Sequence, residues 1–163
     1  MAVNAYLTID VIPGPSTSKT NAIDVLSFSF GASQTSTYGV GASGKEAKAG
    51  RADFSNLTIM KVLDKTSPLL FEACVKATVL KKVALIYDKP VSGKQEDYFK
   101  VSMGDAIVTS QQLSGSNENP TESISFAFQS IEVSYAAEKD DGTLEAFVPK
   151  GFSLETLAPW AAA

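Results

Sequence analysis

The residue types that usually do chemistry are scarce in this chain, and those present are poorly placed for it. None of the 163 residues is a histidine, which removes imidazole as general base, as activator of a nucleophile and as the commonest transition-metal ligand. The single thiol, Cys74, has no partner for a disulfide within the chain, and one Cys with carboxylates alone makes an improbable zinc site. The stretch Gly39-Val40-Gly41-Ala42-Ser43-Gly44-Lys45 has phosphate-loop spacing: it matches G-x-G-x-x-G and, up to its last position, G-x-x-x-x-G-K-[ST]. Glu46 stands where the magnesium-binding hydroxyl belongs. The following KEAKAGRADF has no apolar stripe and breaks at Gly50, so no helix N-terminus backs the glycines, and a protruding loop is the better reading. The carboxylates Glu96-Asp97, Glu118 with Glu122, and Asp140-Asp141 fall in or beside predicted turns, where such groups are solvated rather than paired for acid–base work. No catalytic, cofactor-binding or metal-binding residue is assigned, no cofactor is expected, and an enzyme is the least favoured class.

Composition narrows the partners. The net charge of −4 comes from 18 acidic and 14 basic residues with no basic run, a poor match for nucleic acid or an anionic membrane. No stretch is long and apolar enough to span a bilayer. The opening MAVNAYLTIDVIPG lacks a basic region followed by an apolar one. The expectation is therefore a chain that folds in the cytoplasm and, if it is exported, leaves without a Sec signal. Residues 1–163 read as one domain, large enough to bury a sizeable core.

The elements that must position everything else are organised around residues 57–78, where a strand pattern hands over to the one convincing helix, at about 67–77. Thr66 or Ser67 is the expected N-cap, and Pro68 suits the first turn. Leu69, Leu70, Ala73, Cys74 and Ala77 form the expected inward stripe, with Glu72 and Lys76 as an exposed i,i+4 pair. The remainder alternates as strands. Val3–Ile12 is half-buried. Ala22–Ser36 points Leu26, Phe28 and Phe30 inward and Ser27, Ser29 and Ser33 outward. Leu80–Tyr87 is apolar on both faces. In Glu122–Tyr135 the inward phase changes from Ile124, Phe126 and Phe128 to Ile131, Val133 and Tyr135, which predicts a bulge near Gln129 or Ser130. A last strand pair is expected within Leu144–Leu157. The fold class is mainly β: an antiparallel β-barrel, or two packed sheets, of about eight strands with one flanking α-helix. Tyr6, Val25, Tyr38, Val40, Phe152, Leu154, Leu157 and Trp160 are more apolar positions than one core obviously needs; they either complete that core or meet another copy.

These residues resemble the hemolysin-coregulated protein (Hcp) family, the tube proteins of bacterial type VI secretion and related contractile injection machines. LTIMKVLDKTSPLL carries the family's strand-to-helix junction, K-x-x-D-K-[ST]-[ST]-P-x-L, at Lys61, Asp64, Lys65, Thr66, Ser67, Pro68 and Leu70. IDVLSFSFGASQ (Ile23 to Gln34) resembles the second-strand signature, and ISFAFQSIEVSY (Ile124 to Tyr135) the late strand with its phase change. The resemblance implies six copies in a ring, rings stacked into a hollow tube inside a contractile sheath, and effectors carried in the lumen. Sheath, baseplate and spike proteins would be the other partners, with no direct membrane insertion. It also implies that the second strand lies on the tube's inner side, which turns Ser27, Ser29 and Ser33 into the lumen. The glycine-rich loop, with Tyr38, Gly39, Val40, Gly41, Gly44 and Lys45, is then expected to contact a neighbouring copy. Two other readings remain open: the tail tube of a phage-like or extracellular injection system, and a monomeric ligand-binding barrel.

Overall fold

The computed structural model describes residues 3–36 and 49–162. In chain order the elements are β1 (Asn4–Ile9), β2 (Ile23–Val25), β3 (Ser27–Ser29), β4 (Ala32–Ser36), β5 (Ala49–Phe54), β6 (Leu57–Val62), α1 (Ser67–Val75), β7 (Leu80–Val91), β8 (Lys94–Ser114), β9 (Thr121–Tyr135), β10 (Val148–Ser153) and β11 (Ala158–Pro159). Every strand pair is antiparallel. The pairs run β2–β1–β7–β8–β9–β6–β3, and β3 follows β2 after Leu26 alone, whose N–H donates to the Met60 carbonyl at 2.7 Å. The ring of hydrogen bonds thereby closes into a barrel, as the strand count and the single helix imply.

The barrel interior is filled by the inward phase of each strand, among them Leu7, Ile59, Leu85, Val101, Ile124 and Phe126. The helix α1 lies against β8 and adds Leu70 and Ala73 to this core. Its buried stripe is narrower than the sequence predicts: Leu69 and Ala77 are exposed and Cys74 is half-buried. The helix ends at Val75 because Ala77 adopts a φ of 50°, which breaks it two residues early. Glu72 and Lys76 pair at 2.9 Å in solvent, as their spacing predicts.

Two strand expectations are corrected. Ala22–Ser36 is not one strand but three. The break at Leu26 leaves Val25 and Phe28 packed on the core and turns Leu26 outward, 62% exposed. In β9 the phase change is present without a bulge at Gln129 or Ser130. The register sum is the same on both sides because β8 takes the same extra step, from Met103 to Ala106 through Asp105 at φ 48°; the register shift lies instead between Val108 and Ser110. Val25, at 8% exposure, belongs to this chain's own core, whereas Tyr6, at 2%, is buried on the opposite face of β1 by this chain's own residues. Outside the barrel wall, Lys19 covers the Tyr6 ring and pairs with Asp97 at 2.7 Å.

Beyond the barrel, β10 extends the edge of β9, and Phe54, Phe128 and Phe152 form a smaller aromatic cluster. The tail folds back over Gly151 and Gly104, where added Cβ atoms would lie 2.1 Å from the Trp160 carbonyl oxygen and 2.9 Å from its ring. Only glycine admits so close a strap. Phe152 and Leu154 are partly buried, Trp160 is half-buried against this chain, and Leu157 remains exposed.

Candidate functional site

Two sets of residues on the same strands meet opposite fates. In β6 the inward phase is Leu57, Ile59, Lys61 and the outward phase Thr58, Met60, Val62; in β9 the inward phase is Glu122, Ile124, Phe126 and the outward phase Thr121, Ser123, Ser125. Residues paired in register share a face. The register therefore stacks Lys61 on Glu122 inside and sets a run of small side chains outside.

Inside, Lys61 and Glu122 form a direct ion pair at 0% and 1% exposure. The Lys61 ammonium also reaches Asp64 Oδ1 at 3.1 Å and the Val62 carbonyl at 3.2 Å. Ser67 Oγ donates to Glu122 Oε1 at 2.8 Å and accepts from the Asp64 N–H at 3.1 Å. Gln111 Nε2 lies 2.8 Å from Glu122 Oε2 and 3.1 Å from the Ser67 carbonyl, tying β8 to the start of the helix. Two expectations fail here for one reason. Glu122 is not a solvated turn carboxylate, because its strand starts one residue earlier and places it in the inward phase. Neither Thr66 nor Ser67 caps the helix by its side chain; Asp64 instead accepts the Thr66 N–H at 2.8 Å and the Thr66 hydroxyl, while the Ser67 hydroxyl serves Glu122. Of the junction residues, Lys61, Asp64, Thr66, Ser67 and Leu70 are drawn together, whereas Lys65 and Pro68 are exposed. A buried pair this well hydrogen-bonded fixes strand register and helix entry; breaking one partner strands a charge. Among the described residues no cluster of three or more Cys, Asp or Glu is arranged to hold a metal ion.

Outside, β3, β6, β9 and β8 present a sheet face in rungs. Ser29–Thr58–Ser125–Ser110 is one, Ser27–Met60–Ser123–Gln112 the next, and Val62–Thr121–Ser114 the last. Thr58 Oγ1 and Ser125 Oγ are 3.0 Å apart, and Ser114 and Thr121 hydroxyls 3.4 Å. No side chain in these rungs is ionisable. Ser27 and Ser29 lie where the alternation places them, exposed on this face. Ser33 lies beyond it on β4, opposite Asp53, where the neutral face ends. Thr58, Ser110, Ser123 and Ser125 were not singled out in the sequence, although T-E-S-I-S-F carries the signal in its odd positions. Tyr38, Gly39, Val40, Gly41, Gly44 and Lys45 lie outside the described residues.

Elsewhere, Asp141 accepts from the Thr143 hydroxyl at 2.6 Å and the Thr143 N–H at 2.9 Å, which holds its carboxyl below the usual range. Tyr87 is pushed up, first by burial and then by the neighbouring Tyr98. An open groove of about 530 Å³, lined by residues including Asp10, Lys82, Ser102 and Trp160, faces solvent rather than the filled barrel interior. No helix among the described residues is long and apolar enough to cross a membrane.

The described polar groups thus include a buried network that locks the barrel's own register and an outer face without ionisable side chains. Residues 6–135 match the family described as type VI secretion system effector, Hcp, and the chain belongs to that family. It is 31% identical over 146 residues to Protein hcp1 of Pseudomonas aeruginosa, covering 87% of this chain and 88% of the relative. Among solved structures it is similar to one described as a type six secretion system protein, at a TM-score of 0.88 and 26% identity over 98% of this chain and all of the other. Hcp1 from Salmonella typhimurium gives 0.77 and 25%, with 98% and 100% covered.

Proposed function

We propose that this chain is the ring-forming subunit of the inner tube of a type VI secretion machine. Six copies close a ring, rings stack into a hollow tube, and effector proteins travel in the lumen. Sheath, baseplate and spike proteins surround and terminate the tube, which leaves the cell without a Sec signal. The role is structural rather than enzymatic. The observation that carries this reading is the face of β3, β6, β9 and β8. A wall over which many cargo molecules slide must be free of charge, since ionic contacts would hold some cargo and repel the rest. The rungs Ser29–Thr58–Ser125–Ser110 and Ser27–Met60–Ser123–Gln112 hold no ionisable side chain, and the resemblance sets this strand region on the inner side of the tube.

The ribbon β4–β5 supports assembly in a second way. Its two strands pair only with each other among the described residues, so each offers a free edge to a neighbouring copy. The loop it carries, including Tyr38, Gly39, Val40, Gly41, Gly44 and Lys45, is assigned to contacts between copies.

Light scattering with negative-stain imaging of the same material tests the reading. The expected result is a mass of six times the 17.2 kDa chain with a central hole, or longer tubes. A monomer at every accessible concentration contradicts it. Deleting Gly39 to Lys48 is expected to weaken ring closure or stacking; tubes of undiminished length would remove the loop from that role.

A further inference from the structure

The end of the chain is fastened to the barrel by few contacts. β10 and β11 pair over two residues only, Phe152 with Pro159 and Ser153 with Ala158. Beyond them the Trp160 N–H donates to the Gly151 carbonyl at 3.1 Å, and the Ala162 N–H to Glu132 Oε2 at 2.8 Å. The indole reaches Gly104, where an added Cβ would lie 2.9 Å from it. To pass from β10 to β8 the side chain must cross β9, and Ser130 of β9, paired with Gly104 on the outward face, is accordingly buried. The turn that sends the strap back ends in Leu157 at a φ of 53°. That left-handed position suits glycine or asparagine, so a leucine there is strained. Its side chain is 58% exposed, and packing does not offset the strain. The strap is also a wall of the open groove: Trp160, Ala161 and Ala162 line it together with the in-register rung Thr8–Ala84–Ser102.

We propose that residues 158–162 form a latch, hinged at Leu157, that lifts off the barrel as a unit while the barrel stays folded. Lifting it widens the groove onto the Gly104–Ser130 row, so the latch gates that part of the outer surface. A segment with a two-residue ladder and little buried apolar area opens locally at a lower free energy than the continuous β7–β8–β9 ladders beneath it. Two opposing contributions set the balance. Backbone strain at Leu157 favours the open latch, and the Trp160 contact favours the closed one. Each can be changed without touching the other.

Trp160 is the only tryptophan, so full-length protein carrying fluorotryptophan gives one fluorine NMR signal that reports the latch alone. Gly104→Ala sets a methyl against the indole while meeting the Ser130 Cβ at an ordinary 3.5 Å. Its signal is expected to move to the position seen in denatured protein at temperatures well below the melting transition of the barrel. A second readout is the rate at which a small maleimide labels Ser130→Cys in a Cys74→Ala background. Trp160→Ala, which leaves β8 unaltered, is expected to raise that rate about tenfold. Leu157→Asn, which relieves the hinge, is expected to lower it about threefold. The latch is overturned if the Gly104→Ala signal becomes exposed only as the barrel melts, or if Trp160→Ala leaves the labelling rate unchanged. A rate unaffected by Leu157→Asn overturns the hinge.

Discussion

The two faces of β6 and β9 are built from the same strands and differ by one residue of phase. On the inward face, Lys61 and Glu122 are fully enclosed and joined by Asp64, Ser67 and Gln111. On the outward face, hydroxyls meet only in pairs, Thr58 with Ser125 at 3.0 Å and Ser114 with Thr121 at 3.4 Å. One set is expensive to disturb and remote from any partner; the other is cheap to disturb and open to one. Polar residues inside a barrel wall thus specify the fold, whereas those outside leave it unspecified and free for contact. A series of substitutions sharpens or breaks that contrast.

The largest effect belongs to Lys61→Met, which leaves the Glu122 carboxylate without its counter-charge. The expected loss is about 3–5 kcal/mol in chemical denaturation, and Lys61→Met combined with Glu122→Leu should recover most of it. If the double variant is no more stable than the single one, the network contributes more than a compensated pair. Next, Gln111→Leu removes the link from β8 to Glu122 and the Ser67 carbonyl and should cost about 1–3 kcal/mol by the same measurement. On the outward face, Ser125→Ala and Thr58→Val should each stay within about 0.5 kcal/mol. There Ser29→Trp should leave the melting temperature and the ring mass unchanged yet reduce co-purification of a cargo expressed alongside. Unchanged cargo retention would remove Ser29 from the wall.

The smallest effect lies at Asp141. The Thr143 hydroxyl, followed by the Thr143 N–H, depresses its carboxyl in the native state. Its contribution is therefore present above the unfolded carboxylate range and lost as pH falls through the lower native value. Thr143→Val should raise the Asp141 titration midpoint followed by NMR, with no measurable change in stability at neutral pH for so exposed a group. A midpoint that does not move would show that the backbone contact alone sets it.

Much of this was legible in the sequence because alternation is local. T-I-M-K-V and S-I-S-F-A-F state their phases, and the junction LDKTSPLL announces a helix within a residue or two of its start. The Lys61–Glu122 pair was not legible, since Glu122 reads as a turn carboxylate until the strand is known to begin at Thr121. Its pairing with a lysine distant in sequence is set by register, which no window of residues contains. Leu26 was misplaced for a related reason: barrel closure breaks the alternation at one residue. The phase change in β9 was visible, but its matching step in β8 was not, and so a single-strand bulge was expected. The Trp160 strap depends on Gly104 and Gly151 meeting it across the fold.

The claim that the hydroxyl face lines the inside of a ring is tested most directly by thiol access. In a background with Cys74→Ala, Ser125→Cys places a thiol on the wall and Lys76→Cys places one on the exposed side of α1. Both are treated as assembled rings with a small maleimide and with a large polyethylene glycol maleimide. Every subunit should react with the small reagent in both variants. The large reagent should modify every Lys76→Cys subunit but only a fraction of the Ser125→Cys subunits, because several bulky chains cannot share one lumen. Complete modification of Ser125→Cys by the large reagent in intact rings would put this face on the outside and contradict the account.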